Sequence, residues 1–258
     1  MRPIQTNTVK SIFAPSRGEY HYVFPTPFFK GKVNLNHDDV SMYSRHAVSL
    51  AREENPNNPE MNYTTYFSHE LREDMHQQPW FHSFANQMKD SYIDFICTQF
   101  GFSPNNISRH DIHFFAWISV YNKPHQHEMH NHVKSRISGT YYPFANDESM
   151  PIKFLNPSIT TMFSHGQHDD AMDKDDMPQT VFTGANGCQS EMRFFPKSGD
   201  VLMWPSYMLH CVPRTENVSP EYERIAISFN LNHKEDLGSY HHGDDMDYSF
   251  LNYKESHE

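Results

Sequence analysis

The segment 117–142, WISVYNKPHQHEMHNHVKSRISGTYY, restricts the fold of this chain more than any other. A strand-like apolar run over residues 114–120 leads into four histidines within eight residues, and a second β-rich run follows over residues 137–142. Successive side chains of a strand point to opposite faces, so His130 and His132 can reach one point on the same side of a sheet. The pattern therefore predicts a β-scaffold that presents two imidazoles to one metal ion.

A third metal ligand would have to come from a distant part of the chain. The best candidate is His210, which follows a strand-like run over residues 200–204. Arg224 comes fourteen residues later and opens the run RIAISFN, in which polar or small side chains alternate with large apolar ones. In a strand, every second side chain from Arg224 onward would share one face. Further donors next to the histidine pair stay open as alternative ligands: His125, His127 and Glu128.

The order of these residues resembles the Fe(II)- and 2-oxoglutarate-dependent oxygenases. The likeness is closest to a bacterial and phage branch with HxH, SGxYY, a Pro-x-x-Gly turn, FPS or WPS before a distal histidine, and RxxxSFN. In this chain the pieces are His130 and His132, SGTYY at 138–142, PKSG at 196–199, WPS at 204–206, His210, and RIAISFN at 224–230. Tyr121 also precedes the histidine pair at a spacing similar to that of the prolyl-hydroxylase branch. The likeness covers roughly the C-terminal half of the chain, and its ordered combination is more specific than any single piece.

The resemblance implies a mainly β fold with flanking helices. The core would be a double-stranded β-helix of the jelly-roll, cupin-like kind, with an N-terminal helical extension. Fe(II) would be held by His130, His132 and His210, with 2-oxoglutarate and O2 as co-substrates. Arg224 would hold the far carboxylate of 2-oxoglutarate, and three further side chains could donate hydrogen bonds to it: Tyr121, Tyr141 and Ser228. The expected activity is hydroxylase-type oxidation of an unknown substrate, coupled to oxidative decarboxylation of 2-oxoglutarate.

One position departs from the superfamily pattern, because His132 stands where most members have Asp or Glu. Three neutral imidazoles leave the metal with one more positive charge, and they suit Zn(II) or Cu(II) as well as Fe(II). Two other functions therefore stay open. One is a three-histidine, cupin-type dioxygenase that needs no 2-oxoglutarate and uses Arg224 to bind a substrate carboxylate. The other is a jelly-roll binding or virion-associated protein without a catalytic metal.

Each candidate residue also has a purely structural interpretation. The chain holds 19 histidines, so some clusters arise from composition alone. Arg224 could form a surface ion pair with Glu221 or Glu223, although a guanidinium is also well shaped to hold a carboxylate. Tyr121 could serve packing as well as binding. Three other aromatic residues are assigned to the core: Trp117, Tyr142 and Trp204.

Composition restricts the partners of this protein. Its net charge is −11, from 21 basic and 32 acidic residues, which argues against general nucleic-acid binding. The N-terminal segment lacks an apolar signal core, and no apolar stretch is long enough to cross a bilayer. We therefore expect a cytoplasmic location, which for a phage protein means the cytoplasm of the host. Three widely spaced cysteines suit reduced thiols. The expected substrate is a small molecule or a protein side chain, with no nucleic-acid or membrane partner, and a homodimer is one option for the assembly.

The chain is expected to have three parts. Residues 1–110 would form strands and helices that pack on the core. Residues 111–233 would form the β-helix itself, interrupted at 160–190 by a polar insertion that could be a lid over the substrate. Residues 234–258 have no strong period, which is typical of a loosely ordered tail.

Two helices are expected in the N-terminal part. The first would be capped by Asp38 or Asp39 and end before Pro56. The second would run over residues 79–100, where aromatic and aliphatic residues recur at three- and four-residue spacing, and Gly101 would end it. Its apolar stripe is expected to pack on the back of a sheet.

Overall fold

The structure is a computed structural model. It describes residues 8–9, 20–21, 26–54, 56–57, 63–122, 125–132, 135–146, 150–155, 157, 191–213 and 222–233. The expected insertion at 160–190 and the expected tail at 234–258 lie outside the described residues.

The described residues form eleven strands and three α-helices. The strands are β1 (Thr8–Val9), β2 (Tyr20–His21), β3 (Phe29–Lys32), β4 (Ile112–Asn122), β5 (His127–His130), β6 (Ile137–Phe144), β7 (Ile152–Leu155), β8 (Glu191–Phe194), β9 (Asp200–Pro205), β10 (His210–Val212) and β11 (Glu223–His233). The helices are α1 (His37–Glu54), α2 (His69–His76) and α3 (Phe81–Phe100). Two short 3₁₀ helices, Pro104–Asn106 and Arg109–Asp111, connect α3 to β4.

Two antiparallel sheets make up the core of the described chain. The larger sheet has the strand order β3-β9-β6-β11-β4, and the smaller has the order β5-β10-β7-β8. Strands adjacent in the chain alternate between the two sheets at several points, as when β9 leads into β10. This is the double-stranded β-helix with an N-terminal helical extension that the sequence predicted. The short pair β1-β2 stands apart from both sheets in its pairing.

The two faces of the larger sheet contact different partners. One face packs on the helices, where Phe84 of α3 meets Phe114 of β4 and Phe229 of β11 at ring-centroid distances of 5.6 and 5.8 Å. The other face turns toward the smaller sheet, and Trp204 of β9 meets Phe154 of β7 at 4.9 Å. Such rings bury large apolar areas and prefer edge-on contacts. The helices thus cover one side of the sheet and leave the other for the site.

Strand β11 confirms the predicted alternation. Ile225, Ile227 and Phe229 belong to the apolar cluster on the helix side. Ala226 belongs to the cluster between the sheets. Because side chains of a strand alternate, Arg224 also points into the space between the two sheets.

Gly139 of β6 allows β6, β9 and β11 to pack closely. It lies opposite Phe229 in β11 and Met203 in β9. A Cβ at this position would lie 2.6 Å from the backbone oxygen of Leu202 and would overlap the ring of Phe229. The glycine of the SGTYY motif is therefore needed for close approach of the backbone and an aromatic ring.

A segment before α2 extends the larger sheet beyond β4. The Thr65 N–H donates to the Ile118 carbonyl at 2.9 Å, and the Val120 N–H donates to the Tyr63 carbonyl at 2.8 Å. This pairing places the Tyr63 ring 5.3 Å from the ring of Tyr121. The N-terminal part of the chain therefore supplies a wall next to the space between the sheets.

The helix boundaries differ slightly from the predicted ones. Helix α1 begins at His37, and the side-chain oxygen of Asn36 accepts a hydrogen bond from the Asp38 N–H at 3.2 Å. The predicted cap at Asp38 or Asp39 is therefore wrong, and those carboxylates lie in the first turn instead, where they favour the helix dipole. Helix α3 ends at Gly101 with φ 75°, as predicted. None of the helices in the described ranges is both long and apolar enough to cross a membrane.

Candidate metal centre

Three of the predicted site histidines meet at one end of the space between the sheets. His130 and His210 are paired residues of β5 and β10. Strand β5 ends at His130, so His132 approaches from the following loop, where its N–H donates to the Ser206 carbonyl at 3.0 Å. One ring nitrogen of each histidine lies within 4.8 Å of those of the other two. Nitrogens that share a metal lie about 3 Å apart, so small ring rotations would bring all three onto one ion.

Each of the three rings is fixed through its Nδ1 atom. The Nδ1 of His130 lies 2.7 Å from the Glu128 carbonyl, and that of His210 lies 2.9 Å from the Met208 carbonyl. The Nδ1 of His132 lies 2.6 Å from the side-chain oxygen of Asn230. Because a carbonyl oxygen only accepts, the proton of each imidazole resides on Nδ1. The Nε2 lone pairs are then free to bind a metal, the arrangement usual for metal-binding histidines.

Burial keeps these imidazoles neutral. It lowers the pKa of His210 to about 2 and that of His132 to about 4, and it also lowers the pKa of His130. The neighbouring histidines add to the lowering at His210 and His132 through charge repulsion. A metal can therefore bind without first displacing protons from Nε2.

The three histidines line a cleft that opens to solvent. Its other lining residues are Trp117, Tyr121, His127, Thr140, Tyr142, Ile152, Val212, Arg224, Ala226 and Ser228. None of these is acidic, although the whole chain carries a charge of −11. Among the described residues that line the cleft, only Arg224 carries a permanent charge.

Arg224 is 1% exposed, and its guanidinium is only partly satisfied. One NH donates to the Met150 carbonyl at 2.7 Å, and the guanidinium carbon lies 4.4 Å from the ring centroid of Tyr121. Its Nε has no hydrogen-bond partner among the described residues. Glu223, one of the two carboxylates considered for a surface ion pair, bonds Arg45 instead at 2.6 Å, and Glu221 lies outside the described residues.

Tyr142 supplies a second unsatisfied polar group in the cleft. Its side chain is fully buried, and its hydroxyl has no partner within the described part of the chain. Burial raises the pKa of this phenol to well above its usual range, so the hydroxyl keeps its proton and can donate. Unsatisfied buried donors are costly, so Arg224 and Tyr142 together could hold an anionic group.

Of the three predicted co-substrate contacts, Tyr121 and Ser228 line the cleft and Tyr141 does not. Tyr141 points to the helix side, where its hydroxyl lies 2.6 Å from Nδ1 of His37. The assignment of Tyr141 to the site is therefore corrected. Tyr142 belongs to the core, as expected, and it also lines the cleft. The strand register shows which residues of β6 face the cleft. Ser228 pairs with Thr140, so Thr140 and Tyr142 share the face of Ser228.

The remaining histidines of the cluster have other positions. His127 lines the cleft, with its ring stacked on that of His130 at 4.0 Å, but it is not part of the group of three. The His125 ring packs on Tyr63 at 5.2 Å, and its Nδ1 accepts from the Asn122 N–H at 3.1 Å. Glu128 contributes its backbone carbonyl to His130. We therefore keep His130, His132 and His210 as the candidate ligands.

Comparison with known families identifies the core of this fold. Residues 115–230, which include all the cleft-lining residues, match the model of a 2OG-Fe(II) oxygenase family. Residues 115–230 therefore have the pattern of a 2OG-Fe(II) oxygenase core. Together with the three histidines, the match indicates an oxygenase enzyme that uses Fe(II) and 2-oxoglutarate, rather than a jelly-roll protein without catalytic function.

Several solved structures are similar to this oxygenase at low identity. A prolyl-4-hydroxylase from Pseudomonas putida is 10% identical, with 81% of this chain and 88% of that chain covered and a TM-score of 0.43. HygX from Streptomyces hygroscopicus, with nickel and 2-oxoglutarate bound, is 12% identical, with coverages of 81% and 83% and a TM-score of 0.45. EvdO2 from Micromonospora carbonacea var. aurantiaca is 10% identical, with coverages of 81% and 87% and a TM-score of 0.47. No curated protein sequence matches the chain.

The residues present fit the cofactor and co-substrate of the oxygenase. Three imidazoles with free Nε2 atoms suit Fe(II), which accepts nitrogen ligands readily. The unsatisfied Nε of Arg224 and hydroxyl of Tyr142 suit a carboxylate in the same cleft. The fit rests on donor chemistry and on orphaned buried atoms in this chain.

Proposed function

We propose that this oxygenase couples oxidation of a substrate, by hydroxylation, to the conversion of 2-oxoglutarate and O2 into succinate and CO2. His130, His132 and His210 would hold the iron, and Arg224 would hold the far carboxylate of 2-oxoglutarate. The iron, when bound, supplies the activation of O2. The chain's own residues bind, orient and shield the reactants.

One observation carries this proposal: among the described residues, Arg224 is a buried cation without a carboxylate partner, and it shares a cleft with three converging imidazoles. Arg224 is nearly inaccessible to water, and its Nε is unpaired among the described residues. Burying an uncompensated charge is expensive, so such a group indicates an anionic ligand. A diacid that extends from the histidines to Arg224 could bind the metal through one end and the guanidinium through its other carboxylate.

Aromatic rings hold Arg224 in place for this role. The guanidinium lies over the ring of Tyr121 at 4.4 Å and near that of Tyr142 at 5.6 Å. Stacking of this kind restricts the guanidinium plane and leaves its edge for hydrogen bonds. Tyr142, Thr140 and Ser228 would add hydroxyl groups around the bound carboxylate. The Thr140 and Ser228 hydroxyls lie 3.4 Å apart across the β6–β11 pair.

The substrate of the proposed hydroxylation would be a small molecule or a protein side chain. Trp117 forms the cleft wall beside the metal ligands, with its ring 5.8 Å from that of His132. Tyr66, whose ring lies 5.1 Å from Trp117, is 43% exposed and extends this wall to the surface. A substrate that approaches the metal from solvent would therefore pass these aromatic rings.

Metal and co-substrate binding test the proposal directly. The protein, purified without a histidine tag and loaded with Fe(II) under anaerobic conditions, should bind one iron and then one 2-oxoglutarate by calorimetry. On admission of O2 it should form succinate. His132→Ala and His210→Ala should abolish iron binding, whereas His110→Ala, at an exposed position outside the cleft, should not.

The alternatives predict different results in the same experiment. Iron binding without 2-oxoglutarate binding would indicate a three-histidine dioxygenase that needs no co-substrate. Retention of iron by both His132→Ala and His210→Ala would remove the proposed site.

A further inference from the structure

A largely buried polar network contacts Nδ1 of His132. Its members come from three separate motifs: Ser138 of SGTYY, Ser206 of WPS and Asn230 of SFN. Ser138 and Ser206 are 0% and 1% exposed, and their hydroxyl oxygens are 2.7 Å apart. The Ser138 hydroxyl lies 2.9 Å from both the Asn230 side-chain oxygen and Nδ1 of His132. Three distant pieces of the sequence thus converge on one metal-ligand candidate.

The position of the Asn230 side-chain oxygen determines the donors and acceptors of this network. The Asn230 oxygen accepts from the Ser138 hydroxyl at 2.9 Å and from Nδ1–H of His132 at 2.6 Å. The proton of Ser138 is then used, so the Ser206 hydroxyl donates to the oxygen of Ser138. Ser206 also accepts the His132 N–H through its backbone carbonyl at 3.0 Å, which ties the ring and the backbone of His132 to the same residue.

The orientation of the Asn230 amide determines whether Nε2 of His132 carries a lone pair or a proton. With the oxygen toward Nδ1, the imidazole proton resides on Nδ1 and Nε2 is free. If the NH2 group faced Nδ1, the imidazole proton would move to Nε2 and point at His130 and His210. The structure places the Asn230 oxygen toward both the Ser138 hydroxyl and Nδ1 of His132, which is the first orientation.

We propose that Asn230 is a positioning residue that fixes His132 as an Nε2 metal ligand, with Ser138 and Ser206 holding the amide in the required orientation. The inference rests on the proposed function, because it assumes that His132 binds the metal. His130 and His210 bond backbone carbonyls through Nδ1, whereas His132 alone of the three depends on a side chain. Substitution of Asn230 should therefore weaken the site without removing a ligand.

Three variants at two neighbouring positions test this role. Asn230→Leu keeps a similar volume and removes the acceptor. Asn230→Asp keeps an oxygen that can accept from both His132 and Ser138. Asn232→Ala is the matched control, because Asn232 lies on the same face of β11 two residues further and its side-chain oxygen accepts from the Arg136 N–H at 2.7 Å. If Asn230→Leu does not fold, Asn230→Ala takes its place.

The readouts are the affinity for Co(II) and its visible absorption spectrum in the full-length protein. Asn230→Leu should bind Co(II) about 10- to 100-fold more weakly than wild type, the usual effect of losing the partner of a ligating histidine. Its spectrum should change, because His132 would no longer be held in one orientation. Asn230→Asp should restore both affinity and spectrum, and Asn232→Ala should match wild type.

The possible failures are distinguishable. If wild type binds Co(II) tightly and Asn230→Leu binds it equally well with the same spectrum, the role of Asn230 is overturned while the metal site stands. If Asn232→Ala weakens binding as much as Asn230→Leu, the effect is a general one on β11 and the inference is also overturned. If wild type and His132→Ala bind Co(II) alike, the proposed metal site itself is wrong, and the inference falls with it.

Discussion

His130 and His210 lie directly opposite each other in the antiparallel pair of β5 and β10, with their ring centroids 4.3 Å apart. Eighty residues separate them in the chain, so the register of this strand pair brings two of the three candidate ligands together. Close cross-strand pairs of this kind have Cβ atoms about 5 Å apart. The third ligand candidate, His132, comes from a loop and depends on side-chain hydrogen bonds for its position.

Replacement of Arg224 should reduce the affinity for 2-oxoglutarate. Arg224→Lys retains the charge but loses the planar donor pair, and Arg224→Gln loses the charge as well. A hydrogen bond to a charged group contributes about 1.5–3 kcal/mol, so we expect affinity losses of roughly 10- to 100-fold for each variant, larger for Gln. Calorimetry on metal-loaded protein measures this effect. Arg45→Gln, which removes the exposed partner of Glu223, should leave the affinity unchanged.

Tyr142→Phe should change stability and binding in opposite directions. The buried hydroxyl has no partner among the described residues, so its removal should stabilise the ligand-free protein by about 1 kcal/mol. The same change should weaken 2-oxoglutarate binding, because the hydroxyl would donate to its carboxylate. Urea unfolding and calorimetry measure the two effects.

The neighbouring tyrosine provides the control for this pair of effects. Tyr141→Phe removes the hydroxyl bonded to His37 on the helix side, so it should destabilise the fold and leave 2-oxoglutarate binding unchanged. Identical behaviour of the two variants would contradict the assignment of the two tyrosines to opposite faces.

Gly139→Ala should destabilise the protein strongly. The added methyl group would meet the Leu202 carbonyl at 2.6 Å and overlap the ring of Phe229, and neither backbone nor buried ring can move freely. Overpacking of this kind costs about 1–3 kcal/mol. Gly31→Ala is the comparison, because its closest contact is the ring tip of Phe29, which is only partly buried. The two urea midpoints should differ, with Gly139→Ala the lower.

His76 should make the fold less stable in mild acid. Burial, followed by repulsion from Arg72 and His69, lowers the pKa of His76 to about 4, whereas the unfolded chain has its ordinary value of 6.5. Between these values the unfolded chain binds a proton that the folded chain does not, so stability falls as the pH decreases from about 6.5 to 4. His76→Gln should reduce this slope in urea unfolding. Parallel curves for wild type and His76→Gln would contradict the prediction.

Much of the fold and part of the candidate site could be predicted from residue order. The HxH pair, His210 and the alternation from Arg224 onward are local patterns whose geometry follows from strand periodicity. They predicted a β-scaffold with a metal site, and the family resemblance that rests on them implied a double-stranded β-helix. The structure brings His130, His132, His210 and Arg224 to one cleft.

The faces of Tyr141 and Tyr142 could not be predicted from their own positions. Strand β6 is buried on both faces over most of its length, so the burial of its side chains does not indicate which of them face the cleft. The pairing of Thr140 with Ser228 on β11 shows which side chains of β6 face the cleft. Similarly, nothing local to Asn230 indicates that its amide bonds a histidine 98 residues away.

The apolar cluster on the helix side contains residues from both sides of the predicted boundary at residue 110. Phe84 and Met88 of α3 belong to the same cluster as Phe114 and Phe229 of the larger sheet. A gene shortened to start at codon 111 would leave those rings facing water and should yield insoluble product. The candidate metal site therefore cannot be moved to another scaffold with the two sheets alone. The new scaffold would also have to cover the face of the larger sheet that lies opposite the cleft, as the helices do here.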